Sequence, residues 1–262
     1  EEALAVTRIY SCAGKMPSGQ PLMLERPVRS PHHTASSAAI VGGGVIPRPG
    51  DISLAHRGIL FLDELPEFSR AVLETLRQPL EEGAVTISRA HGSVHFPARF
   101  MLVAAMNPTP QGSDRGDEAS TTAMRRYLGR LSGPLIDRID IHIEVPALPY
   151  AELTGAVRGT DTAAMATRVA EARSVQRARQ HRVLNAGLSG KRLDDVAEQA
   201  DAAAALLGQA MTDLGLSARA YDKIRRVART IADLEGSVRL EPQHVAEAIQ
   251  YRLLDRRLAT VP

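Results

Sequence analysis

Gly58-Ile59-Leu60-Phe61-Leu62-Asp63-Glu64-Leu65 decides the fold. Four apolar residues follow a glycine and end on two adjacent acids. So short and continuous an apolar run fits a β-strand buried on both faces. Acids at the carboxyl end of such a strand stand where open α/β sheets hold their ligands. One carboxylate there can hold a hydrated magnesium ion beside nucleotide phosphates, while its neighbour polarises an attacking water. The plainer alternative is that Asp63 caps a following helix.

Outward from this run the pattern stays α/β. Val72, Leu76 and Leu80 recur every four residues and predict a helix that Pro79 bends and Gly83 stops. Apolar residues at 85–87 and 94–96 flank Ala90-His91-Gly92, so 84–97 reads as a β-hairpin. Residues 100–106 predict a second buried strand. Ile139, Ile141, Ile143 and Val145 alternate with polar residues and predict a third, closed by Pro146 and Pro149. The polar stretch 109–122 reads as an exposed loop.

Beyond Glu152 the texture turns helical. Residues 163–182 are polar, rich in Arg and Ala, and read as a solvated helix. Val196, Ala203, Leu206, Leu207 and Ala210 make one amphipathic stretch, and Ile224, Val227, Ala228, Ile231 and Leu234 another. Pro242 opens a last helix through Val245, Ile249 and Leu253. The expected organisation is an α/β core over 1–149, a helical linker over 150–190 and a small helical domain over 191–262.

Composition narrows the function. Among 262 residues, 44% are apolar and 24% charged, enough for a sizeable core. Lys+Arg 32 against Asp+Glu 30 leaves a net charge of +2, so any contact with nucleic acid has to come from a local patch. Five Tyr, four Phe and no Trp argue against a base-stacking platform. One cysteine, Cys12, excludes an internal disulfide framework and a multi-cysteine zinc site. No apolar run reaches the roughly 18 residues that span a membrane, and Glu1-Glu2 opens no secretory signal, so the expected location is cytoplasmic.

Three more polar residues stand out. Asn107 ends the strand at 100–106, where an amide can bond a water or a terminal phosphate; it also suits a turn. Arg138, in Leu135-Ile136-Asp137-Arg138-Ile139-Asp140, can reach a neighbouring subunit's phosphate or pair with Asp137 or Asp140. Arg219, in Leu216-Ser217-Ala218-Arg219-Ala220-Tyr221, can face the same phosphates or simply water.

In this order the motifs resemble an AAA+ ATPase of the magnesium-chelatase-like family, in its YifB/ComM branch. The branch resemblance rests on Arg29-Ser30-Pro31-His32-His33-Thr34-Ala35-Ser36, Gly42-Gly43-Gly44, Pro49-Gly50-Asp51-Ile52-Ser53-Leu54-Ala55-His56 and Phe96-Pro97-Ala98-Arg99-Phe100. It extends through Ala218-Arg219-Ala220-Tyr221, Val227-Ala228-Arg229-Thr230-Ile231-Ala232-Asp233-Leu234 and Ala248-Ile249-Gln250-Tyr251-Arg252. The resemblance implies a P-loop NTPase core with a parallel sheet, flanking helices and a hairpin insert, followed by an all-helical lid. It implies ATP and Mg2+ as cofactors. Asp63 and Glu64 would be the Walker B acids, with Asp63 on the metal through water and Glu64 as catalytic base. Asn107 would be sensor 1, Arg138 the arginine finger and Arg219 the sensor 2 arginine.

Two departures qualify it. The phosphate loop G-x-x-x-x-G-K-[ST] is absent, since neither Gly14-Lys15-Met16 nor Gly190-Lys191-Arg192 fits. In relatives that loop lies just upstream of the segment resembling residues 1–11, which implies an amino-terminal truncation and little ATP hydrolysis by this chain alone. Many relatives also carry a cysteine cluster after the sensor asparagine; residues 108–114 have none, so no zinc is expected. His32-His33 invites a metal reading, but neighbouring histidines in a strand or loop point different ways, and a contact with a subunit or partner serves as well. His56 and His142 read as structural.

The function the resemblance implies is a ring-forming ATP-driven motor acting on DNA, in branch migration during recombination or transformation. Arg89 and His91, at the tip of the hairpin, are the candidate DNA contacts, against a hairpin that only packs on neighbouring subunits. The alternatives are a chelatase motor subunit driving magnesium into a porphyrin, and a non-catalytic binding module.

Overall fold

The computed structural model describes residues 1–89, 92–107, 127, 129–146, 159–181 and 183–252. The chain divides between Ile139 and Asp140 into two compact units.

In the first unit, helix α1 (Glu2–Cys12) buries Val6, Ile9 and Tyr10, a three-and-four spacing that forms one apolar stripe. Strand β1 (Val28–Arg29) follows, then α2 (Ser37–Val41), whose first turn is capped by the Ser36 hydroxyl accepting from the Ala39 N–H at 3.2 Å. Strands β2 (Gly42–Gly43) and β3 (Arg48–Pro49) form a small antiparallel ribbon, and α3 (Asp51–Leu54) packs Leu54 on the α1 stripe. Strand β4 (Ile59–Leu62) is the apolar run of the deciding motif. Gly58 is required before it: a Cβ there would lie 1.8 Å from the Pro27 carbonyl oxygen, which accepts the Ile59 N–H.

Helices α4 (Arg70–Thr75) and α5 (Arg77–Glu82) replace the single expected helix, with the break at Leu76 and the end at Gly83 in the left-handed region. The hairpin is present as β5 (Ala84–Arg89) and β6 (Gly92–Pro97), paired from Ala84↔Pro97 to Arg89↔Gly92. Strand β7 (Met101–Ala104) completes a parallel sheet in the order β1-β4-β7. Leu60 and Leu62 are fully buried in its central strand, while Ile59 and Phe61 on the other face are half-buried. Strand β7 is less buried than its apolar sequence suggests. It is the last strand of the described sheet, so Met101 is exposed and Leu102 and Val103 are half-buried. Helix α6 (Gly133–Ile136) ends the unit with Leu135 and Ile136 buried.

The third expected strand does not form. Residues 139–146 join no ladder; Ile141, Ile143 and Val145 are exposed, and His142 is the buried residue, its N–H donating to the Tyr251 carbonyl at 2.8 Å. Alternation specifies a strand only where a neighbouring strand and a covered face use it. The expected loop at 109–122 lies outside the described residues.

The second unit is helical: α7 (Thr162–Gln180), α8 (Gly190–Val196), α9 (Asp201–Asp213), α10 (Ala218–Glu235) and α11 (Pro242–Gln250). Val196 ends α8 rather than opening the next helix. Leu193, Leu207, Ile224, Ala228, Leu240 and Val245 pack together as its core. Beside them lies a buried charge cluster. Asp233 accepts from Arg179 at 2.6 and 2.9 Å, from Asn185 at 2.8 Å and from Arg229 at 3.1 Å. Burial alone would raise the Asp233 carboxyl, but the bonds from Arg179 and Asn185 and the charge of Arg229 hold it below its ordinary value. Among the described residues no helix is long and apolar enough to cross a membrane.

Candidate functional site

Strand β4 delivers Asp63 and Glu64 to the carboxyl end of the sheet, both exposed. The chain turns sharply here. Glu64 sits at φ 51°, ψ 48°, a left-handed conformation unusual for a residue with a side chain. Three hydrogen bonds hold it. Asp63 Oδ1 accepts the Glu64 N–H at 2.9 Å, the Glu64 carbonyl accepts from the Glu67 N–H at 2.7 Å, and the Leu65 N–H reaches the Ala105 carbonyl at 2.9 Å. Leu65 and Pro66 then bury themselves in a 3-10 turn, and Ser69 caps α4 through its hydroxyl on the Val72 N–H. The capping alternative for Asp63 is thereby displaced. It braces the turn at Glu64, and the helix has its own cap.

The parallel register brings the other strands to the same edge. Leu62 pairs with Ala104, so Asn107 extends beyond β7 beside the turn, where it is exposed. The phenol of the buried Tyr127 bonds to the Asn107 backbone; burial raises that phenol and the carboxylates of Glu67 and Glu64 add to it, while the Asn107 bond opposes them. On the other side, Val28↔Ile59 and Arg29↔Leu60 run β1 alongside β4. Four residues past Arg29, His33 places Nδ1 3.0 Å from Glu64 Oε2. The two histidine rings lie together, with centroids 4.1 Å apart, contrary to the expectation that they diverge; His33 also meets Phe68 edge-on. Below the acids, Arg130 donates to the Pro66 carbonyl at 3.0 Å and to Glu67 at 2.8 Å. It lines a cleft of about 500 Å³ with Phe68, Ser69 and Arg70.

The remaining candidates stand elsewhere. Arg138 is mostly buried and held within its own unit: Nη1 donates to the Pro134 carbonyl at 2.6 Å and Nη2 pairs with Glu81. Asp140, one of its expected partners, takes Lys223 instead at 3.1 Å. Arg219 lies exposed in the first turn of α10, in the second unit. Arg89 closes the hairpin ladder opposite Gly92, while His91 lies outside the described residues.

Residues 1–153 match the family model described as magnesium chelatase, subunit ChlI, and residues 159–252 match that of the ChlI C-terminal region. The chain belongs to this magnesium-chelatase-like AAA+ family. It is 50% identical over 238 residues to the competence protein ComM of Haemophilus influenzae, covering 89% of this chain and 46% of ComM. It is 46% identical over 261 residues to YifB of Escherichia coli, covering 98% of this chain and 51% of YifB. The chloroplastic magnesium-chelatase subunit ChlI of Nicotiana tabacum is more distant, at 24% over 77% of this chain and 43% of its own. The chain spans about half the length of the curated relatives it matches.

Sequence reasoning missed three members of the site. Tyr127 and Arg130 sit in no pattern that announced them. His33 was visible as a doublet, and the signal that finds its partner is register. The ladder pairs Val28 with Ile59 and Arg29 with Leu60, and His33 meets Glu64 through its side chain beyond the ends of both strands.

Proposed function

We propose that this chain supplies the magnesium and water side of an ATP-hydrolysing site in a ring-forming AAA+ motor that acts on DNA. The observation that carries the ATPase reading is the exposed acid pair on the carboxyl edge of a parallel sheet, with an asparagine three residues past the end of the adjacent strand. Family membership supports nucleotide and Mg2+ as cofactors. The donor chemistry fits: Mg2+ keeps most of its waters and needs only one or two carboxylates when phosphates complete its shell. No G-x-x-x-x-G-K-[ST] loop occurs among these residues, so they cannot cradle the phosphates by themselves. When bound, magnesium-ATP supplies the electrophilic phosphorus and a charge to be neutralised. Asp63 holds the hydrated metal, Glu64 takes a proton from water, and Asn107 orients that water. Arg219 and a neighbour's Arg138 offset the negative charge that develops.

The DNA reading draws support from 50% identity to a competence protein. Arg89, at the hairpin end, is a phosphate contact of the sequence-blind kind that a moving motor needs. The test is ATP hydrolysis by the natural full-length protein with and without branched DNA. Severalfold stimulation by DNA supports the reading. Stimulation only by porphyrin-chelatase partner subunits would replace it.

A further inference from the structure

The sheet has a second edge, where its strands begin, and there the charge is positive. Strands β1, β4 and β7 run parallel, with Val28 paired to Ile59 and Ile59 to Met101. Two residues ahead of each of these strands stands an arginine: Arg26, Arg57 and Arg99. Hydrogen bonds join the three across the edge. Arg26 Nη1 donates to the Arg57 carbonyl at 2.6 Å, and the Arg57 N–H donates to the Arg99 carbonyl at 2.6 Å. Neighbouring strands lie about 4.8 Å apart, so the row is about 10 Å wide.

The row holds more charge than its own contacts use. Glu2 accepts from Arg26 at 2.6 Å and lies 3.5 Å from Arg57, so one carboxylate serves two guanidiniums. Arg99 is exposed, and its guanidinium meets no hydrogen-bond or ion-pair partner among the described residues. Its stem is packed over Gly83, where a Cβ would come within 2.7 Å of Arg99 Cγ. Arg57 sits at φ 62°, a left-handed conformation that Gly or Asn adopts more cheaply, so the turn itself gives no reason for an arginine. Strain of this kind collects where a side chain is used. The buried ring of His56 reports the field: burial first, then the charges of Arg57 and Arg99, lower it to about 4 against the opposing pull of Glu2.

We propose that Arg26, Arg57 and Arg99 bind the sugar–phosphate backbone of DNA, in a contact separate from the hairpin. This rests on the DNA reading given above. Guanidiniums take phosphate oxygens through paired N–H donors, which suits them to this ligand better than lysine. One strand of a duplex carries a phosphate for each 3.4 Å of rise, so a row about 10 Å wide spans about three of them. Three like charges set side by side match a repeating polyanion. The row offers charge to the backbone and no aromatic face to the bases, so the contact reads no sequence. Arg57 precedes β4 and the acid pair follows it, so one strand joins the DNA contact to Asp63 and Glu64.

The test is binding of a fluorescent DNA duplex by the natural full-length protein over a salt series. The variants are Arg99→Ala, Arg99→Lys, Arg57→Asn and the double change Arg57→Asn/Arg99→Ala. Asparagine suits the left-handed turn, so Arg57→Asn removes the charge without straining the backbone. Each lost arginine is expected to flatten the slope of log affinity against log salt by about 0.9 and to weaken binding about fivefold at 0.15 M salt. The double change is expected to flatten it by about twice as much, and Arg99→Lys, which keeps the charge, to retain the wild-type slope. An unchanged slope in the double variant overturns the inference, as does Arg99→Lys as flat as Arg99→Ala. So does loss of self-assembly by Arg99→Ala without DNA, which would give the row to the acidic edge of a second copy. Should the wild type bind no DNA, the DNA reading itself fails. If the wild type binds and the variants bind equally well, that reading stands and this inference alone fails. Melting temperature controls for folding. If Arg57→Asn melts below wild type, Arg99→Ala decides, because no described residue relies on the Arg99 guanidinium.

Discussion

Two groups of charges in this molecule are handled in opposite ways. At the edge of the β1-β4-β7 sheet, Asp63, Glu64 and Asn107 are exposed and held mainly through their backbones, on a turn that includes a left-handed glutamate. In the helical unit, the Asp233 side chain is 0% exposed and shares its oxygens among Arg179, Asn185 and Arg229. The first group spends little of its acceptor capacity within the described residues: Asp63 Oδ1 takes the Glu64 N–H and Glu64 Oε2 meets His33. The second uses that capacity to tie α7, α10 and the segment at Asn185 into one unit. Buried charge without a full set of partners is strongly destabilising, whereas exposed charge costs little to maintain and remains free for chemistry. Degree of internal satisfaction therefore separates the candidate working residues from the structural ones.

Arg138 challenges that separation, because its two terminal nitrogens are engaged by Pro134 and Glu81 yet it is the candidate finger. If it acts in trans, Arg138→Ala in the full-length protein lowers kcat about a thousandfold or more. Mixing those subunits with Glu64→Gln subunits then restores part of the rate, because some interfaces regain both groups. Full hydrolysis by Arg138→Ala, or no recovery in verified mixed rings, would leave it as the structural partner of Glu81. For the buried cluster, Asp233→Ala should cost about 3–5 kcal/mol and lower the melting temperature by roughly 10 °C or more, without a catalytic signature. Its carboxyl is held below the unfolded value, so its contribution is present above about pH 4 and fades as pH falls further. A loss under about 1 kcal/mol by denaturant titration would break the contrast.

His56 sharpens the comparison from within the sheet unit. It is buried, and Nδ1 accepts the Arg99 N–H at 3.1 Å, which requires a neutral ring. Burial, with Arg57 and Arg99 adding, lowers it to about 4. The unfolded chain then binds the extra proton first, so stability falls as pH drops from about 6.5 towards 4. Between pH 7.5 and 5 the loss should be ~2 kcal/mol, and His56→Gln should remove that component. Urea midpoints at the two pH values report it. The smallest expected effect is at the hairpin. Arg89→Ala in the full-length protein should flatten the salt dependence of DNA binding by about one counterion, leaving basal hydrolysis intact. An unchanged slope would leave the hairpin to packing.

How much of this was legible follows from which interactions are local. The strand at Ile59–Leu62, the hairpin and the helices from Thr162 onward are written as local periodicity, and they formed. Residues 139–146 carry the same alternation but pair with no strand among the described residues. Helix α1 went unread although Val6, Ile9 and Tyr10 carry its spacing, and the ribbon at Gly42–Pro49 went unread because its conformation depends on glycines at positive φ. An acid after an apolar run is common, so the pair was legible only together with the order and spacing of Asn107, Arg138 and Arg219. His33, Tyr127 and Arg130 were not, since each reaches the acids across a gap in sequence that only strand register or tertiary packing closes.

The central claim is that Glu64, left exposed on its strained turn, works on a bound substrate and is not part of the scaffold. Single-turnover ATP hydrolysis by the full-length protein with Glu64→Gln, alongside nucleotide affinity and melting temperature, tests it most directly. The expected result is hydrolysis slowed about a hundredfold or more, with affinity and melting temperature close to wild type. Hydrolysis at the wild-type rate, or a loss that merely follows a lowered melting temperature, would contradict it.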